Sequence, residues 1–270
     1  VSVVRTVNAT RYVVPLREGG SLPALVEADD DGMYVVKLRG AGQGPRALAS
    51  ELLAGEIART LGLPVPELVL VTLDPRIAVA EPDPEIQDLL RASEGLNVGM
   101  DFLPGALAYN PLEPLAAELA ADVVWFDALV LNVDRTPRNP NLLRWHRDLW
   151  LIDHGAAFFR HHSSAQPGWD AAAAAVEPFG MIAEHVLLSD SGPAAAADER
   201  LAALLSDDVL ERLVKLVPPE WADPAAYLDF LRARLAAPRS FVQEIEQARG
   251  RLAAPRFFVQ EIEQARDAQR

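Results

Sequence analysis

The spacing of apolar positions changes character along the chain. In the first part they gather in short β-branched and aromatic runs: RYVVPL (11–16), PALVEA (23–28), MYVVKLRG (33–40), ELVLVTL (67–73) and LNVGMDFLPG (96–105). REGGS and ADDDG separate the first three runs with turn formers, so these read as an antiparallel meander. One helix interrupts the strands: Pro45 sits at a first helical position, residues 47–61 are helix formers, and Gly62 and Pro64 stop them. From Glu113 the period lengthens, with Leu115, Leu119, Val123, Phe126 and Val130 three or four apart on one helix face. A strand pair, NLLRW (141–145) and DLWLID (148–153), follows, then alanine-rich helices from about Asp170.

The pattern predicts an α+β fold in two lobes. Residues 1–105 form an N-terminal antiparallel sheet lobe with one helix and a hinge, and residues 106–250 a mostly helical lobe. Residues 251–270 are set apart as a helical tail, because RLAAPRSFVQEIEQAR (234–249) recurs as RLAAPRFFVQEIEQAR (251–266), changed only at Ser240 versus Phe257. Two units are too few for a solenoid, and near-identity at every position, surface ones included, points to a recent tandem duplication or a sequence artefact more than to a selected binding array.

Composition adds a core and removes some chemistry. Half of the 270 residues are hydrophobic, enough for a sizeable interior. No uncharged apolar run approaches the roughly 18 to 20 residues that cross a bilayer, and residues 1–11 hold no apolar block of signal-peptide type, so a cytoplasmic protein is expected. The absence of cysteine excludes disulfides, thiolate zinc sites and thiol nucleophiles. A net charge of −14 argues against general binding to nucleic acid or an anionic membrane. A nucleotide substrate would need a cation to bridge it to such a protein.

Candidate chemistry concentrates in LNVDRTPRNPNLL (131–143). Phosphoryl transfer needs a carboxylate at the acceptor hydroxyl, metal ligands beside it and a cation on the phosphates. Asp134 follows a helix, Asn139 stands five residues on, and Asp153 ends the apolar strand before His154 and Gly155. A hairpin between them returns Asp153 to the loop. Lys37 lies in an apolar strand with Val36 and Leu38 on the opposite face, the form of a phosphate-holding strand lysine. Its carboxylate partner is Glu51 or Glu56. Glu51 shares an arc with Ala54, Gly55 and Ala58, small residues that allow close approach to a sheet, whereas Glu56 is readily paired with Arg59 at the surface. The loop RGAGQG (39–44) lacks the spacing of a dinucleotide fingerprint, and its amides with Gln43, Arg39 and Arg46 are assigned to phosphate or acceptor. His146, His154, His161 and His162 lack metal-ligand spacing and read as structural.

The segments YVVKLRG, SELLAGEIARTLGLPVP, NVDRTPRNPNLL and LIDHGAAF resemble the HipA-like kinases, and more distantly the phosphatidylinositol kinases, over about residues 10–160. The resemblance implies a protein-kinase-like fold with Lys37 on ATP phosphates, Glu51 as its helix partner, Asp134 as catalytic base, and Asn139 and Asp153 on Mg2+. It makes GMDFLPG (99–105) the hinge, with adenine near Met100, Asp101 and Phe102, and brings Arg138 to the transferred phosphate. No Gly-x-Gly-x-x-Gly loop precedes Lys37, and Asn132 stands where protein kinases keep histidine.

The expected activity is ATP- and magnesium-dependent transfer of the γ-phosphoryl group to a hydroxyl, on a protein serine or threonine. A small-molecule kinase, an AMP-transferring enzyme on the same fold and a nucleotide-binding pseudokinase scaffold remain as alternatives. Deleting residues 251–270 tests the duplicated tail: thermal stability and activity are expected to survive unchanged.

Overall fold

The computed structural model describes residues 4–16, 22–42, 44–163 and 168–253. Five strands, β1 (Arg5–Pro15), β2 (Ala24–Ala28), β3 (Met33–Lys37), β4 (Leu68–Leu73) and β5 (Gly95–Asp101), close a barrel in the order β1-β2-β3-β5-β4. Closure comes from parallel pairing of β1 with β4, from Arg5 opposite Val69 to Asn8 opposite Thr72. An antiparallel meander therefore describes the sheet only in part. β1 begins at Arg5 and not at Arg11; its first half is mostly polar and gives no strand pattern, and only Val7 and Tyr12 in the whole strand are buried. Two irregularities in its ladder with β2, between Ala9 and Arg11 and between Tyr12 and Val14, bend it as closure requires.

Val7, Val26, Tyr34, Val36, Val69 and Val71 fill the barrel. Gly99 on β5 faces this interior, where a Cβ would lie 2.6 Å from Val71 Cγ2 and 3.0 Å from Val69 Cγ2. A second helix, α2 (Pro84–Ala92), belongs to this half of the chain, contrary to the one-helix expectation. It is capped by Asp83 with proline in its first turn, and buries only Ile86 and Leu90, too few to stand out as a helical period.

The first helix, α1 (Gly44–Thr60), is buried at every position from Ala47 to Ala58. It lies between two packed bodies: Leu52, Leu53 and Ile57 join the same core as Val124, Trp125 and Phe126 of α3 (Ala117–Leu129). Gly55 lets it close on the barrel, since a methyl there would overlap Leu68. Beyond the barrel, β6 (Leu107–Ala108), β7 (Leu142–Trp145) and β8 (Asp148–Leu151) make a small antiparallel sheet, one strand more than the expected pair. Helices α4 (Ala171–Val176), α5 (Ala194–Leu201), α6 (Asp207–Val214), α7 (Pro224–Leu235) and α8 (Ser240–Ala253) complete the chain.

α8 carries the end of the first copy of the repeat, and it is integral to the core. Phe241 meets Trp125 edge-on at 5.5 Å, Glu244 accepts the Phe179 amide at 2.7 Å, and Glu246 accepts the Ala194 amide at 2.6 Å. The second copy lies almost wholly outside the described residues. No described helix is long and apolar enough to cross a membrane.

Gly99→Val is expected to destabilise the protein by about 1–3 kcal/mol through overpacking. A urea titration should show a lower midpoint at unchanged slope.

Candidate active site

A cavity of about 1160 Å³ opens where the barrel, α1 and the β7–β8 sheet meet. Lys37, Glu51, Asp134, Asn139 and Asp153 all line it, and Val35, Val98, Met100, Leu142 and Ile152 supply apolar wall. Strand register explains the lysine. Lys37 pairs with Val98 and Val35 with Met100, so these four share the cavity face, while Tyr34, Val36 and Gly99 turn inward.

The Lys37 ammonium reaches two carboxylates, Glu51 Oε2 at 2.5 Å and Asp153 Oδ1. Burial alone would lower the lysine pKa, but Glu51 and Asp153 outweigh it and hold the group above its ordinary value. Burial would raise Glu51 in the same way, and Lys37 then His154 bring it down to about 2. Glu56, expected at the surface, is instead buried at 2% exposure and paired with Arg59 at 3.1 Å. A helix enclosed on all sides has no surface face to give it.

Gly155 makes room for this contact: a Cβ there would lie 3.1 Å from Lys37 Nζ and 3.5 Å from Glu51 Oε2. Asp153 itself adopts a left-handed backbone, φ 55°. The next side chain, His154, is fully buried and meets Phe126 edge-on at 5.8 Å. Its Nδ1 stands 3.6 Å from Glu51 Oε1, beyond hydrogen-bond reach.

Across the cavity, Asp134 Oδ2 accepts from Asn139 Nδ2 at 2.9 Å and from Asn141 Nδ2 at 3.2 Å. Both amides thus spend an N–H on one carboxylate, which leaves their carbonyl oxygens as ligand atoms. Among the described residues, no group of three or more His, Cys, Asp or Glu is arranged to hold a metal. An amide and a carboxylate suit a cation that takes its other ligands from phosphate and water.

The remaining expected residues divide. Met100, Asp101 and Phe102 line the cavity. However, the amides of Asp101 and Phe102 are spent on Glu67 O at 2.9 Å and Met33 O at 3.0 Å. Arg138 is exposed and does not line the cavity, nor do Arg39 and Arg46. Gln43 lies outside the described residues.

What sequence reading missed is the buried support of the loop. Arg135, at 1% exposure, donates from Nε to Asp127 Oδ2 at 2.6 Å and from NH1 to Asn141 O at 2.5 Å and Ile152 O at 3.4 Å. One guanidinium therefore ties α3, the end of the loop and the residue before Asp153. Asp127 also accepts from Asn132 Nδ2 at 2.8 Å and from His185 Nε2 at 2.8 Å. The His185 tautomer follows, because its Nδ1 accepts the Leu187 amide at 3.1 Å. Burial opposes the Asp127 charge, but Arg135 and His185 keep its pKa well below the usual carboxylate range. The available signal was a lone aspartate in VVWFDALVL (123–131), which an apolar helix tolerates only with a partner.

A barrel is set against a helical body, with ionisable groups gathered in the cavity between them. The model of the HipA-like kinase family matches residues 10–246, and the chain belongs to that family. It is similar in structure to the Helicobacter pylori proinflammatory kinase CtkA, with TM-score 0.54, 13% identity, and 92% of this chain and 100% of that one covered. It is also similar to the Golgi casein kinase solved with Mn and ADP bound, with TM-score 0.52, 14% identity, and coverage of 93% and 75%. A further structure of the Golgi casein kinase gives TM-score 0.51, 14% identity, and coverage of 93% and 74%. At these identities the likeness is one of fold. No curated protein matches the chain.

Asp127→Ala removes the one carboxylate that pairs with buried Arg135 among the described residues, and a loss of about 3–5 kcal/mol is expected. Chemical denaturation measures it, with the conservative Asp127→Glu expected to lose less.

Proposed function

We propose that the chain is an ATP- and magnesium-dependent phosphotransferase that moves the γ-phosphoryl group to a hydroxyl of a protein serine or threonine. The observation that carries this reading is the contact of Lys37 with both Glu51 and Asp153, in the same cavity as Asp134. In this reading the two halves are lobes divided near residue 105, with residues 251–270 an appendage.

The apolar wall of Val35, Val98, Met100, Leu142 and Ile152 takes the adenine ring. Among the described backbone bonds none uses the Leu103 amide, so that group, just beyond the spent amides of Asp101 and Phe102, is the donor offered to the ring edge. Lys37 meets the phosphates, and Glu51 holds its ammonium in place. Asn139 and Asp153 are the Mg2+ ligands of the proposal, with Asn141 a neighbouring amide. The ion, when bound, neutralises charge on the phosphate oxygens. The fit is supported by the lining itself: Lys37 is the one cation among its described residues, against the carboxylates of Glu51, Glu81, Asp101, Asp134 and Asp153.

In this reading Asp134 takes the acceptor proton. Its Oδ2 is held by two amides, and Oδ1 has no partner among the described residues. The acceptor oxygen bonds to the γ-phosphorus as the bond from that phosphorus to the bridging oxygen breaks. ADP leaves, and the proton passes to Asp134.

ATP labelled at the α or γ position, incubated with the protein and a protein acceptor, tests this. Label from γ is expected to transfer, to be abolished by a chelator, and to fall at least about a hundredfold in Asp134→Ala and Asp153→Ala. Label only from α means AMP transfer, and tight ATP binding without turnover means a scaffold. Either result overturns the reading.

A further inference from the structure

Asp127, Asn132, Arg135 and His185 are all buried, and none of them lines the cavity. Their side chains meet one another instead, and the bonds they make lead to Asp134 and Asp153. Asp134 is reached by two routes. Asp127 Oδ1 accepts from Asn132 Nδ2 at 2.8 Å, and Asn132 Oδ1 in turn accepts the Asp134 amide at 3.1 Å. Asp127 Oδ2 accepts from Arg135 Nε at 2.6 Å, Arg135 NH1 donates to Asn141 O at 2.5 Å, and Asn141 Nδ2 donates to Asp134 Oδ2 at 3.2 Å. The backbone and the carboxylate of Asp134 thus both lead back to one buried anion. Arg135 NH1 also meets Ile152 O at 3.4 Å, one residue before Asp153.

The loop has little else to hold it. Within it, Thr136 and Asn139 exchange backbone bonds at 3.0 and 3.1 Å. The Asn139 side chain also donates to Asp134 Oδ2, but it is exposed, where water competes for the same bond. Leu131, Asn141 and Asp153 have left-handed backbones, φ 51°, 50° and 55°, which non-glycine residues leave unless their surroundings hold them.

Asn132, which stands where protein kinases keep histidine, gains a use from this arrangement. One amide group supplies the donor for Asp127 and the acceptor for the Asp134 backbone. An apolar side chain of the same size would leave both unmatched. The network is also clamped from a segment distant in sequence, ahead of α5. His185 Nε2 donates to Asp127 Oδ2 at 2.8 Å, and the next amide, Val186, donates to Arg135 O at 3.0 Å.

We propose that Asn132 and Arg135 are positioning residues, which act through their shared partner Asp127 to fix Asp134 and its reach to Asp153, and that His185 holds that partner from outside the loop. The assignment rests on the phosphotransferase reading for the use of the positioned groups, but not for how they are held.

The test measures kcat, KM for ATP and the stoichiometry of nucleotide binding on the full chain. Stoichiometry by calorimetry counts folded sites, so a loss of kcat per site is not a loss of folded protein. Asn132→Leu keeps the size and removes both bonds. It is expected to lower kcat per site by about tenfold to a hundredfold, the cost of a displacement near 1 Å, with KM for ATP unchanged. In an Asp134→Ala background the same substitution should cost little more, since it acts through Asp134. Arg135→Lys keeps the charge but not the fork that spans Asp127 and two carbonyls, and it should show the same split if Asn132→Leu fails to fold. His185→Phe should lower kcat less, and His185→Gln, whose amide can donate to Asp127, should recover the loss. Amide hydrogen exchange by mass spectrometry should quicken in residues 131–141 and 151–153 of Asn132→Leu while β3 is unchanged.

An unchanged kcat, full additivity with Asp134→Ala, or exchange that quickens equally in β3 overturns the proposal. A His185→Gln as impaired as His185→Phe overturns the part given to His185. If the unsubstituted chain binds nucleotide and transfers nothing, the phosphotransferase reading falls, and exchange alone decides the positioning: quickening confined to the two segments supports it, and no change overturns it.

Discussion

A lysine with 15% of its side chain exposed, held between two carboxylates from distant parts of the chain, sets the terms for the rest of the structure. An isolated ammonium in that place would be easier to deprotonate, because desolvation penalises the charged form. Its charge persists only if β3, α1 and the segment after β8 all arrive together. The barrel fixes which face of β3 carries Lys37, and the small residues of α1 let Glu51 come close. The left-handed turn at Asp153 followed by Gly155 brings the third partner in without a clash. The triad therefore reports on the assembly of both halves.

A second buried cation does for the loop what Glu51 does for Lys37. The segment from Leu131 to Asn141 begins and ends on left-handed residues, φ 51° and 50°, and the Asp153 backbone is left-handed too. Such conformations cost non-glycine residues about 1–2 kcal/mol each. Arg135 offsets that cost by binding Asp127 and the carbonyls of Asn141 and Ile152 together, which leaves little freedom in how Asp134 and Asp153 face one another. Strain at the cavity and satisfied charge beneath it are two parts of one arrangement.

Features that depend on local pattern were readable in the sequence. Lys37 stands out because a charge interrupts alternation, and Glu51 could be chosen over Glu56 because small residues mark the face that closes on a sheet. Features that depend on closure were not. The parallel pairing of β1 with β4 joins segments far apart, through polar residues such as Arg5 and Asn8 that carry no strand signal. α2 escaped because two buried residues make no period. Arg135 sat in plain view beside Asp134, but its partners come from α3, from two backbone carbonyls and, through Asp127, from His185. No spacing rule joins those. The repeat shows only its duplication in the sequence; that Glu244, Glu246 and Arg249 of the first copy all hold backbone groups of other segments needs the fold.

The acidity of the chain bears on the cavity too. Around the first cavity five carboxylates stand against one ammonium, so a triphosphate entering alone would meet repulsion from all sides but Lys37. Around a second cavity, four carboxylates face one arginine, Arg46, whose NH1 is already engaged with a carbonyl. A charge excess spread for solubility alone would scatter over the surface, and many exposed carboxylates here do pair locally, as Asp207 does with Arg232. Others, such as Glu85, Glu94, Asp148 and Asp208, are exposed, away from both cavities and without an ion pair among the described residues, so the acidity is shared between the surface and the sites. Under the proposed function, an anionic nucleotide would enter the first cavity more readily in company with cations.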